Sequence, residues 1–330
     1  MTRREREAAG GSGRTVALAL IANASVGVLK LIAGLVSGSG ALLSEAAHSV
    51  GDTSTELLLV TALRRSSRPA DRVHPFGYGK ERYFWSLLAA VAIFVSGAAF
   101  SMFQGVHTIL APEKSTDLLW INYPVLALAL VLEGISLRQA VRQTRGEARR
   151  RGRSVGTVVR DPHDPTVRSV VLEDSAAVVG IVTAAVGVAL HQVTGSALWD
   201  AAASLVIGGL LIVAAVLLVQ TCRGLLIGKQ ADGRLIRRIA ARIEEQEEID
   251  DVVDLLTMMT GVDRVLLCVR VDFVDGFSAG ELEAACVRMD ALLHSDFPDL
   301  DEVFIQPAAK TDRRVQERVR ARYGRELSDR

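Results

Sequence analysis

Six stretches of the chain stay apolar long enough to cross a bilayer, at approximately 15–36, 41–63, 83–110, 118–141, 167–191 and 198–219, and charged residues crowd outside them. A helix rises about 1.5 Å per residue against a hydrocarbon core of ~30 Å, so one crossing takes roughly 20 mainly apolar residues. The pattern predicts six membrane helices, each closing its own backbone hydrogen bonds because lipid offers no partner. The first run extends from near Thr15 to Val36, longer than a signal-peptide core and without an evident cleavage site, so it reads as a membrane helix. Beyond about residue 230 the period changes. Leu235, Ile236, Ile239 and Ile243 recur at helical spacing. Two strand-like runs follow at 250–260 and 263–273, the second placing Val265, Leu267, Val269, Val271 and Phe273 on one face. Ser278, with Glu281 three residues later, opens a further helix to about Leu293, and a short strand covers 302–306. The expected fold is an α-helical membrane protein of six transmembrane helices plus a small α+β domain of order αββαβ.

The loops sort by charge. Arg3, Arg4, Arg6 and Arg14 precede the first span; Arg64, Arg65, Arg68, Arg72 and Lys80 follow the second; Arg145, Arg149, Arg150, Arg151, Arg153 and Arg160 follow the fourth. The alternate loops hold Ser37-Gly38-Ser39-Gly40, a stretch with Lys114 alone, and Gln192 to Ser196. Basic residues collect on the cytoplasmic side, so both termini and the α+β domain are expected there, in a multi-pass protein of the bacterial cell (plasma) membrane. The domains then run 1–14 (cytoplasmic tail), 15–230 (six-helix transmembrane domain), 231–308 (cytoplasmic α+β domain) and 309–330 (charged tail). The tail lacks an apolar stripe and reads as solvated helix or disordered. The 38 basic and 38 acidic residues balance, so net charge points to no nucleic acid partner. Cys222, Cys268 and Cys286 are too few and too scattered for a disulfide framework or a cysteine zinc site.

Charge inside the spans carries the chemistry, because an ionisable group at the bilayer centre costs ~3 kcal/mol or more. These groups are Lys30, then Glu45, His48, Asp52 and Glu56 in the second span, Glu133 in the fourth, Glu173 and Asp174 in the fifth, and Asp200 at the start of the sixth. His48 and Asp52, four residues apart, stack on one helix face where an imidazole and a carboxylate can share a cation. At helical rise they lie ~10 Å and ~17 Å below the outer end of their span. Asp174 falls at a comparable level in the fifth span, so three ligands from two helices can meet if those helices pack together. The competing reading is a polar patch that only holds helices together. Glu45, Glu56 and Glu133 lie nearer span ends, where they can snorkel or line a vestibule. Asn23 and Lys30 read equally as packing, charge-pairing or ligand groups.

The stretch Ser37-Gly-Ser-Gly-Ala-Leu-Leu-Ser-Glu-Ala-Ala-His48-Ser-Val-Gly-Asp52-Thr resembles the second-helix signature of the cation diffusion facilitators, whose HxxxD or DxxxD pair binds the transported ion. The loop Arg68-Pro-Ala-Asp-Arg-Val-His74-Pro-Phe-Gly-Tyr-Gly-Lys-Glu-Arg-Tyr-Phe84 resembles their segment before the third helix. Leu172-Glu173-Asp174-Ser-Ala-Ala, preceded by Asp161-Pro-His-Asp-Pro165, is similar to the fifth helix of the subgroup related to the mitochondrial zinc exporter of animals. The resemblance covers roughly residues 15 to 306. It implies proton-coupled antiport, export from the cytoplasm, a homodimer and a metallochaperone-like soluble domain. Many members carry a second ligand four residues before the fifth-helix aspartate, where this chain has Val170. Glu173, about 100° around the helix from Asp174, or a water then supplies the fourth position. The loop has Tyr78 where relatives with a loop zinc site have histidine, which leaves a site using Asp71 and His74 set against a Pro/Gly-fixed turn. The stretch Thr257-Met258-Met259-Thr260-Gly261-Val262-Asp263 lacks the histidine some relatives place between the two strands, so the soluble domain is expected to serve dimerisation or regulation.

The metal residues expected from this reading are His48, Asp52, Asp174 and Glu173. The function expected is a secondary transporter, not an enzyme and without a catalytic cofactor, that exports Zn²⁺ in exchange for H⁺. Fe²⁺, Co²⁺ and Mn²⁺ remain open as substrates, with zinc favoured by His48. Two alternatives are a metal-sensing membrane scaffold without transport, since Val170 breaks the fifth-helix motif, and an intramembrane metallohydrolase.

Overall fold

Six helices account for the six apolar stretches in the computed structural model, which describes residues 3–111, 118–150, 152, 154–156 and 165–323. They are α1 (Arg3–Ser37), α2 (Gly40–Ser66), α3 (Glu81–Leu110), α4 (Asn122–Arg150), α5 (Pro165–Thr194) and α6 (Leu198–Ile227). Five of them are long and apolar enough to cross a membrane among the described residues. The exception is α2, which is 27 residues long but carries Glu45, His48, Asp52 and Glu56 together with Arg64 and Arg65. The helix that hydropathy alone passes over is therefore the one richest in ligand-type side chains. The loop segment 112–117 with Lys114, and residues 157–164 with most of the Asp161–Pro165 motif, lie outside the described residues.

The chain forms two compact units, Met1–Arg65 with Glu81–Arg223, and Ser66–Lys80 with Gly224–Arg330. In the first, small residues let the helices approach closely. Ala33, Ala41, Ala90, Ala98, Ala129, Ala184 and Ala203 are buried together with Leu42, Ile181, Ile207 and Leu211. Ile32, Leu35, Val95, Phe103, Val131, Val186 and Val213 face outward instead, as residues solvated by lipid do. Residues Ile93–Ala99 of α3 form a π-helical segment, a widened turn frequent at functional sites. Asp200, in the first turn of α6, accepts a hydrogen bond from the Ser39 hydroxyl at 2.6 Å and from the Ala41 backbone N–H at 3.1 Å. A carboxylate from α6 thus caps α2, satisfying one of its orphan N–H groups and complementing its dipole. Asp200, an intramembrane acid in the sequence, anchors the start of the helix that carries His48 and Asp52.

The second unit has the αββαβ order, with α7 (Gly233–Glu244), β1 (Ile249–Gly261), β2 (Arg264–Phe273), α8 (Ala279–Asp296) and β3 (Leu300–Pro307). The sheet order is β1-β2-β3, antiparallel then parallel. Val265, Leu267, Val269 and Val271 of β2 are buried with Ile239, Ile243, Met289 and Leu293 of the two helices. Ser278 and Glu281 complete the capping box that opens α8. The charged tail is helical, one of the two forms expected, and differs from expectation in being docked. Residues Arg313–Tyr323 form a helix, α9, that lies against β1 and buries Val319. Arg322 and Arg270 both donate to the buried carboxylate of Asp254, at 3.0 and 2.7 Å. Val315 and Val319, one turn apart, make the short apolar stripe that the Arg/Glu alternation masks.

The connection 66–80 belongs to this second unit. Asp71 accepts hydrogen bonds from the Val73 and His74 N–H groups, at 2.9 and 2.7 Å, and from the Tyr78 hydroxyl at 2.7 Å. The Tyr78 hydrogen bond, foremost among these, holds the Asp71 carboxyl below its usual range. Its lone pairs thus stabilise a turn. Gly79 then packs backbone to backbone on the β1–β2 turn, where an added Cβ would collide with Thr260 O and stand 2.8 Å from Gly261 Cα. Gly79→Ala is expected to loosen this loop, costing ~1–3 kcal/mol of local overpacking. Faster amide exchange across 66–80 with unchanged exchange in α3 is the predicted signature; unchanged loop exchange would show that the close approach is dispensable.

Candidate metal centre

The centre starts on α2, where helical spacing stacks His48 over Asp52. Their Nε2 and Oδ2 atoms are 3.1 Å apart and the side chains are only 2 % and 13 % exposed. The approach is close but not aligned as a hydrogen bond, and Nε2 has no hydrogen-bond partner. That nitrogen is free to be a ligand. From α5, Glu173 is buried beside Asp52, with its Oε1 without a hydrogen-bond partner. Two neighbouring carboxylates would repel by about 4 kcal/mol at a separation of about 4 Å and an effective dielectric of about 20. The arrangement therefore calls for positive charge between Asp52 and Glu173, supplied by a metal ion or by protons.

Asp174 points elsewhere. It accepts a hydrogen bond from the Ser136 hydroxyl of α4 at 2.8 Å. Adjacent helical residues diverge by about 100°, and the rotation of α5 sets Glu173 closest to Asp52 while Asp174 hydrogen-bonds to α4. The structure accordingly brings His48, Asp52 and Glu173 into one chain of neighbours, with Asp174 at its edge. Among the described residues, no three His, Cys, Asp or Glu side chains converge closely enough to hold a metal ion in this conformation.

The surrounding acids are placed more deeply than their sequence positions suggested. Glu45 does not snorkel: it is fully buried and pairs with Lys30 of α1 at 3.0 Å, and the same ammonium donates to Ser49 at 3.0 Å. Its other oxygen, Oε1, presses on α5 at Gly180, where a Cβ would occupy the same space. Glu56 accepts from the Asn23 amide at 2.8 Å, which gives Asn23 a pairing role. Ser136, Ser49, Thr55 and Gly180 went unnoticed in the sequence, because a lone hydroxyl or glycine in an apolar run carries no signal until a partner faces it.

Comparison with known proteins places this geometry in context. Residues 16–227 match the family model described as the cation efflux transmembrane domain. The chain is 34% identical over 263 residues to the human protein named proton-coupled zinc antiporter SLC30A9, mitochondrial, covering 80% of this chain and 46% of that one. It is 31% identical over 264 residues to metal tolerance protein C4 of Arabidopsis thaliana, covering 79% and 57%. A shorter match, 32% over 91 residues and 28% of each chain, is to the magnetosome protein MamM of Paramagnetospirillum magneticum. The chain spans about half the length of the first two relatives.

Proposed function

The chain belongs to the cation efflux family, and from that premise we propose that it moves a divalent metal ion, zinc first, across a membrane in exchange for protons. The observation that carries this reading is the chain of neighbours His48–Asp52–Glu173, in which the imidazole nitrogen stands 3.1 Å from Asp52 without a hydrogen bond and the Asp52 and Glu173 carboxyl groups need positive charge between them. Imidazole with carboxylate oxygen suits zinc. The same atoms bind either metal or protons, so loading the ion displaces protons and links the two fluxes. Asp174 joins the ligand set in this account when an ion draws it from Ser136. Rocking of the helices that bear the site opens it to one side at a time.

The orientation proposed has both termini and the second unit in the cytoplasm, from the arginine asymmetry of alternate loops, so that transport is export. The name of the human relative supports zinc and proton coupling and carries a mitochondrial address; the bacterial cell membrane remains our proposal for this chain. The test of the function is competitive flux in vesicles containing the purified protein. Zinc is expected to enter down an opposing pH gradient and to be displaced by Fe²⁺ or Co²⁺ more readily than by Mn²⁺. Vesicles that bind zinc without accumulating it would favour the sensor reading instead.

We also propose a homodimer built through the second unit. Leu256, Cys268 and Phe304 stand side by side across the three strands, and Phe304 is 52% exposed, an apolar row suited to a second copy. Removing residues 231–330 is expected to shift the protein toward monomer by mass measurement in detergent while zinc binding persists. A full-length chain that is monomeric both there and by crosslinking in membranes would contradict the proposal.

A further inference from the structure

Lys30 is the one amine buried among the acids of the first unit's described residues, and both it and Glu45 are 0% exposed. An ammonium in a membrane span is costly and persists where a partner offsets it. Here Glu45 Oε2 and Ser49 Oγ both receive it at 3.0 Å. Glu45, His48 and Asp52 fall at i, i+3 and i+7 on α2, along one face of the helix. Glu45 is thus a third acidic or imidazole group on the metal-facing stripe, one turn from His48, and its Oε1 has no hydrogen-bond partner.

We propose that Lys30 determines ion specificity by holding Glu45 out of the ligand set. The inference rests on the transport reading above. With the ammonium in place, the ion meets one imidazole nitrogen and the carboxyl groups of Asp52 and α5. With Lys30 gone, Glu45 becomes an uncompensated carboxylate within one turn of His48. It adds an oxygen ligand and a negative charge, and an oxygen-rich site of higher coordination favours manganese over zinc. Lys30 is in this sense a positioning residue, acting on the ion through Glu45.

The test compares zinc and manganese flux in vesicles for the full-length protein, Lys30→Gln, Lys30→Arg, Glu45→Gln and the double variant Lys30→Gln/Glu45→Gln. Glutamine keeps a hydrogen bond to Glu45 without the charge. Lys30→Gln is expected to raise the manganese-to-zinc ratio on the order of tenfold, and Lys30→Arg to hold it near the wild-type value. Glu45→Gln leaves the ammonium beside the site without its counter-charge and is expected to raise KM for zinc about tenfold. In the double variant both effects should largely cancel, the coupling expected of two residues acting through one contact. A pair that only holds α1 to α2 would lower the amount of assembled protein without moving the ratio or KM, and that pattern overturns the proposal. Should Lys30→Gln not assemble, the KM arm decides: a wild-type KM in folded Glu45→Gln overturns it equally. Absence of divalent flux in the wild-type protein would instead strike the underlying transport reading, so the two failures are distinguishable.

Discussion

Asp52→Asn is expected to cut zinc flux by more than about a hundredfold, since even residues that support a metal's ligands cost 10–100-fold when removed. Asp52 occupies the middle of the centre: its carboxylate meets His48 Nε2 at 3.1 Å on one side and Glu173 on the other. Asparagine keeps the volume but carries no charge and is a weak ligand, so the site loses a negative charge between His48 and Glu173. Assembly should survive, because the variant relieves repulsion between two buried acids. The check is zinc flux at matched protein density, with elution volume as the control for folding. Flux at the wild-type rate from folded Asp52→Asn protein would remove Asp52 from the pathway.

The second large effect is expected at Glu173→Gln, which should fall as deeply as Asp174→Asn. Family pattern alone would single out Asp174 and treat Glu173 as a neighbour pointing away. The structure turns Glu173 toward Asp52 and leaves its Oε1 unpartnered, while Asp174 rests on Ser136. If Glu173 is a direct ligand, its amide has no charge to offer the ion and flux is lost at saturating zinc as well as at low zinc. A mild loss, recovered by raising zinc, would return the fourth position to water. Comparing kcat and KM for the two variants separates these outcomes.

Much of this was legible from residue pattern. The long apolar runs marked the helices, arginine in alternate loops suggested an orientation, and the i, i+4 spacing of His48 and Asp52 announced a pair on one face. The period-two alternation in β2 and the Ser278/Glu281 cap located the soluble fold for equally local reasons. What stayed hidden depended on helix rotation and on partners distant in sequence. Glu173 and Asp174 are adjacent in the chain, and only the rotation of α5 decides which of them sits closest to Asp52. Lys30 and Glu45 are joined across two helices, so Glu45 could not be told from a snorkelling acid. Asp200 read as an intramembrane charge because nothing local reveals that it caps α2. The docked tail helix rests on one buried valine and an arginine that meets Asp254, too little periodicity to stand out.

The central claim is that one buried site exchanges a divalent ion for protons, and simultaneous recording of zinc and pH inside vesicles tests it most directly. With the wild-type protein and an outward proton gradient, internal zinc should rise as the lumen turns alkaline, with both signals lost together in Asp52→Asn. Zinc entry with no proton counter-movement, or proton movement that persists in Asp52→Asn after zinc entry has stopped, would contradict the account.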